Sequence, residues 1–273
     1  MVIIALETTG KYGSVAVINE KGEVTTASTE EELQHLQGLL PLATEVLGEN
    51  HLTIEDVDAV ACSVGPGSFT GIRVGVATAR AWGQMLNIPC IPVSSLEGLA
   101  MRAMEDLDRR TEEAGGDLGQ VIPGASNGVL IVTAINARRG QNYAALWNYS
   151  KQGVQFVSRE KQWMILPLIE KAKKKAGAWP IYWTGDGVDA YGEELAALAG
   201  EHTLILAPEE YRYPTARTVA KVGWIKAQTP LSGSQPMLIP YERLFPNYLR
   251  KSEAEMKLEE GSLSKKIGTA AWK

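Results

Sequence analysis

Twice along the chain, three short strand-like runs precede an alternation of helix-like and strand-like segments. The first round places Val2 to Leu6, Ser14 to Ile18 and Val24 to Ser28 in succession, with Lys21-Gly22 as a hairpin turn between the last two. These runs predict an antiparallel meander. The pattern then changes to helix (Leu33 to Leu47), strand (Ala59 to Val64), helix (Ile72 to Leu86), strand (Cys90 to Val93) and helix (Leu96 to Met104). Such alternation calls for parallel strands with covering helices, an α/β fold. The second round opens with Val129 to Ile135, a turn at Arg138-Arg139-Gly140, Tyr143 to Tyr149 and a third run around Val154 to Val157. A helix (Leu166 to Ala176), a strand (Pro180 to Trp183), a short helix (Glu193 to Ala199), a strand (Thr203 to Leu206) and a helix (Thr215 to Ala227) follow. The order of elements repeats without visible repetition of sequence. Between the rounds, Glu105 to Asn127 is charged and then Gly-rich, and it reads as an exposed connector or insertion. The chain therefore divides into a lobe at 1–105, a connector at 106–127, a lobe at 128–235 and a C-terminal segment at 236–273. The end of that segment, Lys251 to Lys273, reads as a charged tail, either mobile or a solvated helix.

With 273 residues and 45% apolar content, the chain can bury the cores that two such lobes need. No stretch approaches the roughly 20 apolar residues of a membrane helix, and Met1-Val2-Ile3-Ile4-Ala5 lacks a basic region, so a cytoplasmic protein is expected. Cys62 and Cys90 sit in apolar runs without metal spacing and read as buried free thiols. A net charge of -5 argues against a large basic face, so any RNA contact is local or made by a partner.

Two halves of this kind resemble the two-lobed, actin-like layout of the actin/Hsp70/sugar-kinase superfamily, a likeness of fold that fixes no function. In its kinase-like members, phosphates lie between two hairpin turns and a nearby carboxylate holds the metal. Glu7-Thr8-Thr9-Gly10, at the end of the first strand, is the first candidate: an acidic residue and hydroxyls that can face phosphate oxygens, or a plain strand-end turn. The second is Gly65-Pro66-Gly67-Ser68-Phe69-Thr70-Gly71, between a strand and a helix. Its backbone N–H groups suit an anion, with Ser68 or Thr70 as the cap, although a turn that only caps looks the same. Gly185-Asp186-Gly187 is where a nucleoside would lie. The nucleotide-site candidates are thus Glu7, Thr8, Thr9, Gly65, Gly67, Ser68, Gly185, Asp186 and Gly187.

Metal chemistry finds no support. His35 opens a helix, but Gly38 and Leu39 stand where a second ligand one turn on would be needed. There is no Gly-x-Ser-x-Gly elbow for a nucleophilic hydrolase. Two helices carry unusual faces instead. Gly71, Gly75, Ala79 and Gly83 recur every fourth residue, and each glycine costs a helix roughly 1 kcal/mol, so a close contact should offset them. That contact is either the chain's own sheet or a protein partner. Leu36, Leu39, Leu40, Ala43, Val46 and Leu47 cover a wider arc than one buried stripe requires, which suggests a second partner for that helix.

Several of these segments together resemble bacterial TsaB (YeaZ-like) proteins. They are Ile4-Ala5-Leu6-Glu7-Thr8-Thr9 with Ser14-Val15-Ala16-Val17, Gln34-His35 with Leu39-Leu40-Pro41, and Gly65 through Gly75. Asn136 through Tyr143, Thr184-Gly185-Asp186-Gly187 and Pro246-Asn247-Tyr248-Leu249-Arg250 follow in order, so the likeness spans residues 2 to 250. The resemblance implies a subunit without catalysis of its own in the machinery that makes threonylcarbamoyladenosine beside the tRNA anticodon. Its partners would be a TsaD-like transferase subunit and, through the complex, a TsaE-like ATPase. It implies no required cofactor and no metal, with weak ATP or ADP binding and homodimer formation left open, and tRNA met indirectly. TsaD holds a metal through a His-x-x-x-His pair, and Leu39 takes the place of the second histidine here. In the family, pairing with TsaD or with itself uses the first two helices. This maps the interface onto His35, Leu36, Leu39, Leu40, Ala43, Gly71, Arg73, Gly75, Ala79 and Gly83. Glu7 replaces the usual Asp, and Asn136 and Gln141 replace frequent acidic residues, which weakens the alternative of an ATP-dependent phosphotransferase of the sugar- or acetate-kinase type.

Overall fold

Apolar runs interrupted by the turns named above build two five-stranded mixed sheets of the same plan. The computed structural model describes residues 1–29, 35–151, 153–198, 202–228 and 237–249, with side chains except at 35–37 and 198. In the first sheet, β1 (Ile3–Glu7), β2 (Ser14–Ile18) and β3 (Val24–Ser28) form the antiparallel meander, while β4 (Ala59–Ser63) and β5 (Cys90–Val93) add parallel strands. Its order is β3-β2-β1-β4-β5. The second sheet repeats that order as β8-β7-β6-β9-β10, from β6 (Val129–Arg138), β7 (Gln141–Ser150), β8 (Gly153–Met164), β9 (Ile181–Thr184) and β10 (Leu204–Leu206). The expected two-lobed α/β plan is the one observed. Both central strands are buried on both faces, which explains why Ile3 to Leu6 and Val129 to Val132 read as continuous apolar runs rather than alternating ones.

Among the described residues, six helices cover the sheets: α1 (His35–Glu49), α2 (Phe69–Leu86), α3 (Ser95–Glu113), α4 (Ile165–Ala176), α5 (Gly187–Leu198) and α6 (Ala216–Gln228). α1 and α2 lie on one face of the first sheet, where Leu39, Leu42, Ala43 and Val46 join Ile72, Val76 and Ala79 over Ile4, Leu6, Val15 and Val60. α4 and α5 cover the corresponding face of the second sheet. The inner faces are closed by an exchange. α6, late in the chain, buries Ala216, Val219 and Ala220 against Ile3, Ala5, Ala16 and Ala61 of the first sheet. α3 from the first round buries Leu99, Ala103 and Leu107 against β6, β7 and β9 of the second.

α3 also runs well past Met104, which corrects the reading of Glu105 to Asn127 as exposed. A capping box between Ser94 and Glu97 starts the helix. Its charges then pair along the helix, Arg102 with Glu105 at 3.0 Å and Asp106 with Arg109 and Arg110 at 2.5 and 2.7 Å, so a charged run remains helical. Asp106 is fully buried and also accepts from Tyr182 Oη at 2.8 Å. Leu118, Ile122 and Ala125 fold under the second sheet as core residues. β8 is longer than the Val154 to Val157 run, and α5 begins six residues before Glu193 because Gly187 leads straight into it, with a kink at Tyr191. The Lys251 to Lys273 tail lies outside the described residues.

Candidate functional site

The end of β1 and the Gly65 to Gly71 turn form one interlocked unit. Glu7 is fully buried, and both its carboxylate oxygens are occupied. Oε1 accepts from Thr9 N at 2.5 Å and from Thr9 Oγ1 at 2.6 Å, and Oε2 accepts from Ser63 Oγ. Burial pushes this carboxyl above the ordinary glutamate range, against the hydrogen bonds from Ser63 and Thr9 that favour its charge. Thr9 Oγ1 also lies 2.8 Å from Ser95 Oγ at the start of α3. Thr8 Oγ1 donates to Gly71 O at 2.7 Å, and Ser68 N donates to Thr9 O at 3.0 Å.

The turn itself caps α2. Ser68 is the cap residue, accepting from Gly71 N at 3.2 Å, and Thr70 lies inside the helix. Gly65 takes φ +107°, where a side chain would strain the backbone, and its O accepts from Ser95 N at 3.0 Å. Asn247 N donates to Val64 O at 2.7 Å, which ties the Pro246-Asn247-Tyr248 stretch to this turn.

Gly185-Asp186-Gly187 belongs to a second cluster, at the end of β9. Asp186 Oδ1 accepts from Asn136 N at 2.7 Å, and burial raises its carboxyl to about 6. Asn142, also buried, faces the Gly187 backbone, and its amide has no hydrogen-bond partner among the described residues. Tyr213-Pro214 reaches both neighbourhoods: the Pro214 ring packs at Gly10, and Tyr213 Oη donates to Asp189 Oδ2 at 2.9 Å. The structure therefore joins Glu7, Thr8, Thr9, Gly65, Gly67 and Ser68 in one cluster and holds Gly185, Asp186 and Gly187 in another. Ser63, Ser95 and Asn142 were missed by the sequence reading. Ser95 left a trace as a neighbour of the Ser94-x-x-Glu97 capping signal, and Asn142 lies inside the Asn136 to Tyr143 segment without having been singled out.

The small-residue ridge of α2 points inward. A Cβ at Gly71 would lie 1.8 Å from Thr8 O, one at Gly75 2.4 Å from Thr8 Oγ1, and one at Gly83 2.9 Å from Tyr241 Cβ. Ala79 is fully buried beside Cys90, whose thiol reaches Ala79 O. Of the two readings of this ridge, close packing on the chain's own core is the one observed. Gly71, Gly75, Ala79 and Gly83 are therefore corrected from interface to core, as are Leu39 and Ala43 of α1, which face the sheet.

Leu40 and Arg73 do face outward, while the side chains of His35 and Leu36 lie outside the described residues. Arg73 stacks 3.9 Å over Phe69 and donates from Nε to Tyr248 Oη at 3.0 Å, so it pins the C-terminal stretch. The outer surface of the helix pair carries Leu40 and Met85, each 66% exposed, with Ala77 and Ala81 between charged and polar neighbours. Cys62 and Cys90 are free and buried, and burial raises both thiols. No helix among the described residues is long and apolar enough to cross a membrane.

A family model described as TsaD, tRNA N6-adenosine threonylcarbamoyltransferase, matches residues 27–116, the stretch from β3 to the end of α3. The Bacillus subtilis tRNA threonylcarbamoyladenosine biosynthesis protein TsaB is 26% identical over 257 residues, covering 94% of this chain and 97% of the relative. Its Escherichia coli counterpart is 27% identical over 261 residues, covering 94% and 98%. The structure of YeaZ from Pseudomonas aeruginosa superposes with a TM-score of 0.67 at 22% identity, covering 90% of this chain and 99% of that one. Relatives matched nearly end to end and the shared architecture converge: over 94% of its length the chain is similar to TsaB (YeaZ-like) proteins named for tRNA threonylcarbamoyladenosine biosynthesis.

Proposed function

We propose that this chain is a non-catalytic scaffold subunit needed for threonylcarbamoyladenosine modification of tRNA. It acts by pairing with a TsaD-type transferase subunit through the outer face of α1 and α2. The observation that carries the reading is the end-to-end correspondence with proteins named for that biosynthesis. The surface supports the mode of action. Leu40 and Met85 stand exposed on adjacent helices, and burying two such side chains stabilises a complex by about 1.5–3 kcal/mol each. The small exposed Ala77 and Ala81 let a partner helix approach closely. The match of a TsaD family model across 27–116, the stretch that carries α1 and α2, supports a like helix pair in the proposed partner, so that two such pairs would stack face to face. A self-paired dimer would use the same face. The absence of catalysis on this subunit is supported by Glu7, whose oxygens serve Thr9 and Ser63. A TsaE-type ATPase and tRNA join through the transferase subunit, in keeping with the chain's charge of -5.

The test substitutes Leu40→Glu and Met85→Glu, separately and together, and measures complex mass with TsaD and threonylcarbamoyladenosine formation in a reconstituted mixture. Both sites are exposed, so thermal stability should stay near native while assembly and modification are lost. Undiminished assembly by the double variant would refute the pairing face.

A further inference from the structure

On the opposite face of the first sheet from α1 and α2, a pocket of about 260 Å³ opens between β2, β3 and the start of α6. Its walls include Tyr12, Ser14, Thr26, Arg102, Tyr213 and Arg217, with Thr215 at the base of α6. The charge balance around it is uneven. Glu105 is the one carboxylate shared by Arg102 at 3.0 Å, Arg217 at 3.2 Å and Lys221 at 2.7 Å. Burial works against that carboxylate, yet Lys221 and Arg102 hold it below the ordinary range, so it stays charged and offsets one of three cations. Neighbouring carboxylates are committed elsewhere, Asp106 to Arg109 and Arg110, and Asp189 to Arg212 at 2.5 Å. Two positive charges are left beside the pocket.

Behind its walls lie unspent hydrogen-bonding groups that can donate. Arg102 is held in place by Glu105, by Glu210 O and by the Tyr211 ring 4.6 Å from its Cζ, but its buried Nε has no partner among the described residues. The buried Thr215 Oγ1 likewise has none. Ser14 is 5% exposed and uses an Oγ lone pair on Ala216 N at 2.9 Å, which leaves its O–H to give. The Arg102 and Arg217 guanidinium groups on its wall and the surplus of two positive charges favour an anionic ligand that accepts hydrogen bonds and carries two negative charges. We propose that this pocket binds a phosphate monoester. Its dianion matches the charge, and its oxygens match the donors. The Tyr12 and Tyr213 rings flank the organic group it carries.

The test titrates the full chain with inorganic phosphate and with glycerol 3-phosphate, followed by calorimetry and phosphorus NMR. The expected result is saturable one-to-one binding. Arg217→Gln should weaken it at least about tenfold, Arg217→Lys less, and exposed Lys21→Gln not at all. Arg217 is 42% exposed, so its variants should melt like the native chain. Arg102→Gln should weaken binding further, and if that variant does not fold, Arg217→Gln decides. The proposal is overturned by any of four results. These are no saturation up to about 20 mM phosphate, equal binding by Arg217→Gln, equal binding of acetate, or binding of a short RNA lacking terminal phosphate in place of the monoester.

Discussion

Replacing Gly71 by alanine sets local propensity against packing with opposite signs. In an isolated helix the change would stabilise by about 1 kcal/mol. Here the new methyl carbon would lie 1.8 Å from Thr8 O and 2.9 Å from Thr8 C, both backbone atoms. An ordinary carbon-to-carbonyl-oxygen contact is about 3.3 Å, so the start of α2 would have to retreat by more than about 1 Å. That retreat breaks the Thr8 Oγ1 to Gly71 O bond at 2.7 Å and stretches the Ser68 N to Thr9 O bond at 3.0 Å. Overpacking costs about 1–3 kcal/mol and each buried hydrogen bond about 1 kcal/mol. Less the propensity gain, the net loss should be roughly 2–4 kcal/mol, a large fraction of the 5–15 kcal/mol typical of a folded domain. Urea unfolding followed by far-UV circular dichroism should show the midpoint falling by roughly 1 M or more, with exposed Ala77→Gly as a control costing about 1 kcal/mol. A Gly71→Ala protein as stable as the native chain would mean that the β1 end and α2 are not in contact as described.

Two further perturbations follow from buried carboxylates. Asp186 has a folded pKa raised by burial from 3.8 to about 6, so its protonated form favours the fold, and that contribution is lost as pH rises from about 4 through 6. Asp186→Asn, which can still accept from Asn136 N, should be more stable than native above pH 7, by roughly 2–3 kcal/mol, and should lose this slope in denaturation measured across pH. Asp106→Ala should cost roughly 3–5 kcal/mol by urea denaturation, because it leaves the buried Tyr182 hydroxyl and Arg110 without their acceptor, and Asp106→Asn should recover part of that loss.

The candidate site was only partly legible from the chain. The turn from Gly65 to Gly71 was visible as a strand-to-helix cap, because glycines and hydroxyls announce local geometry. The pairing of Glu7 with Ser63 was not, since Ser63 lies 56 residues away and no local pattern encodes that distance. The outward face was misassigned for a related reason. Four-residue spacing shows that Gly71, Gly75, Ala79 and Gly83 share a face, but the spacing is the same whether that face meets the chain's own strand or another protein.

Order of elements, strand identity and the two-lobed plan were set by the sequence alone. Period-2 and period-3.6 patterns and turn residues act over a few positions, and β2, β3 and β5 fall where those patterns place them. Only the tertiary structure decided which sheet each helix covers. α3 covers the second sheet and α6 the first, a choice made by long-range packing that no local pattern encodes. That exchange carries Arg102 of α3 to the start of α6 and so creates the pocket with Arg217 and Glu105. Tertiary packing likewise turns the glycines of α2 inward and leaves Leu40 and Met85 exposed.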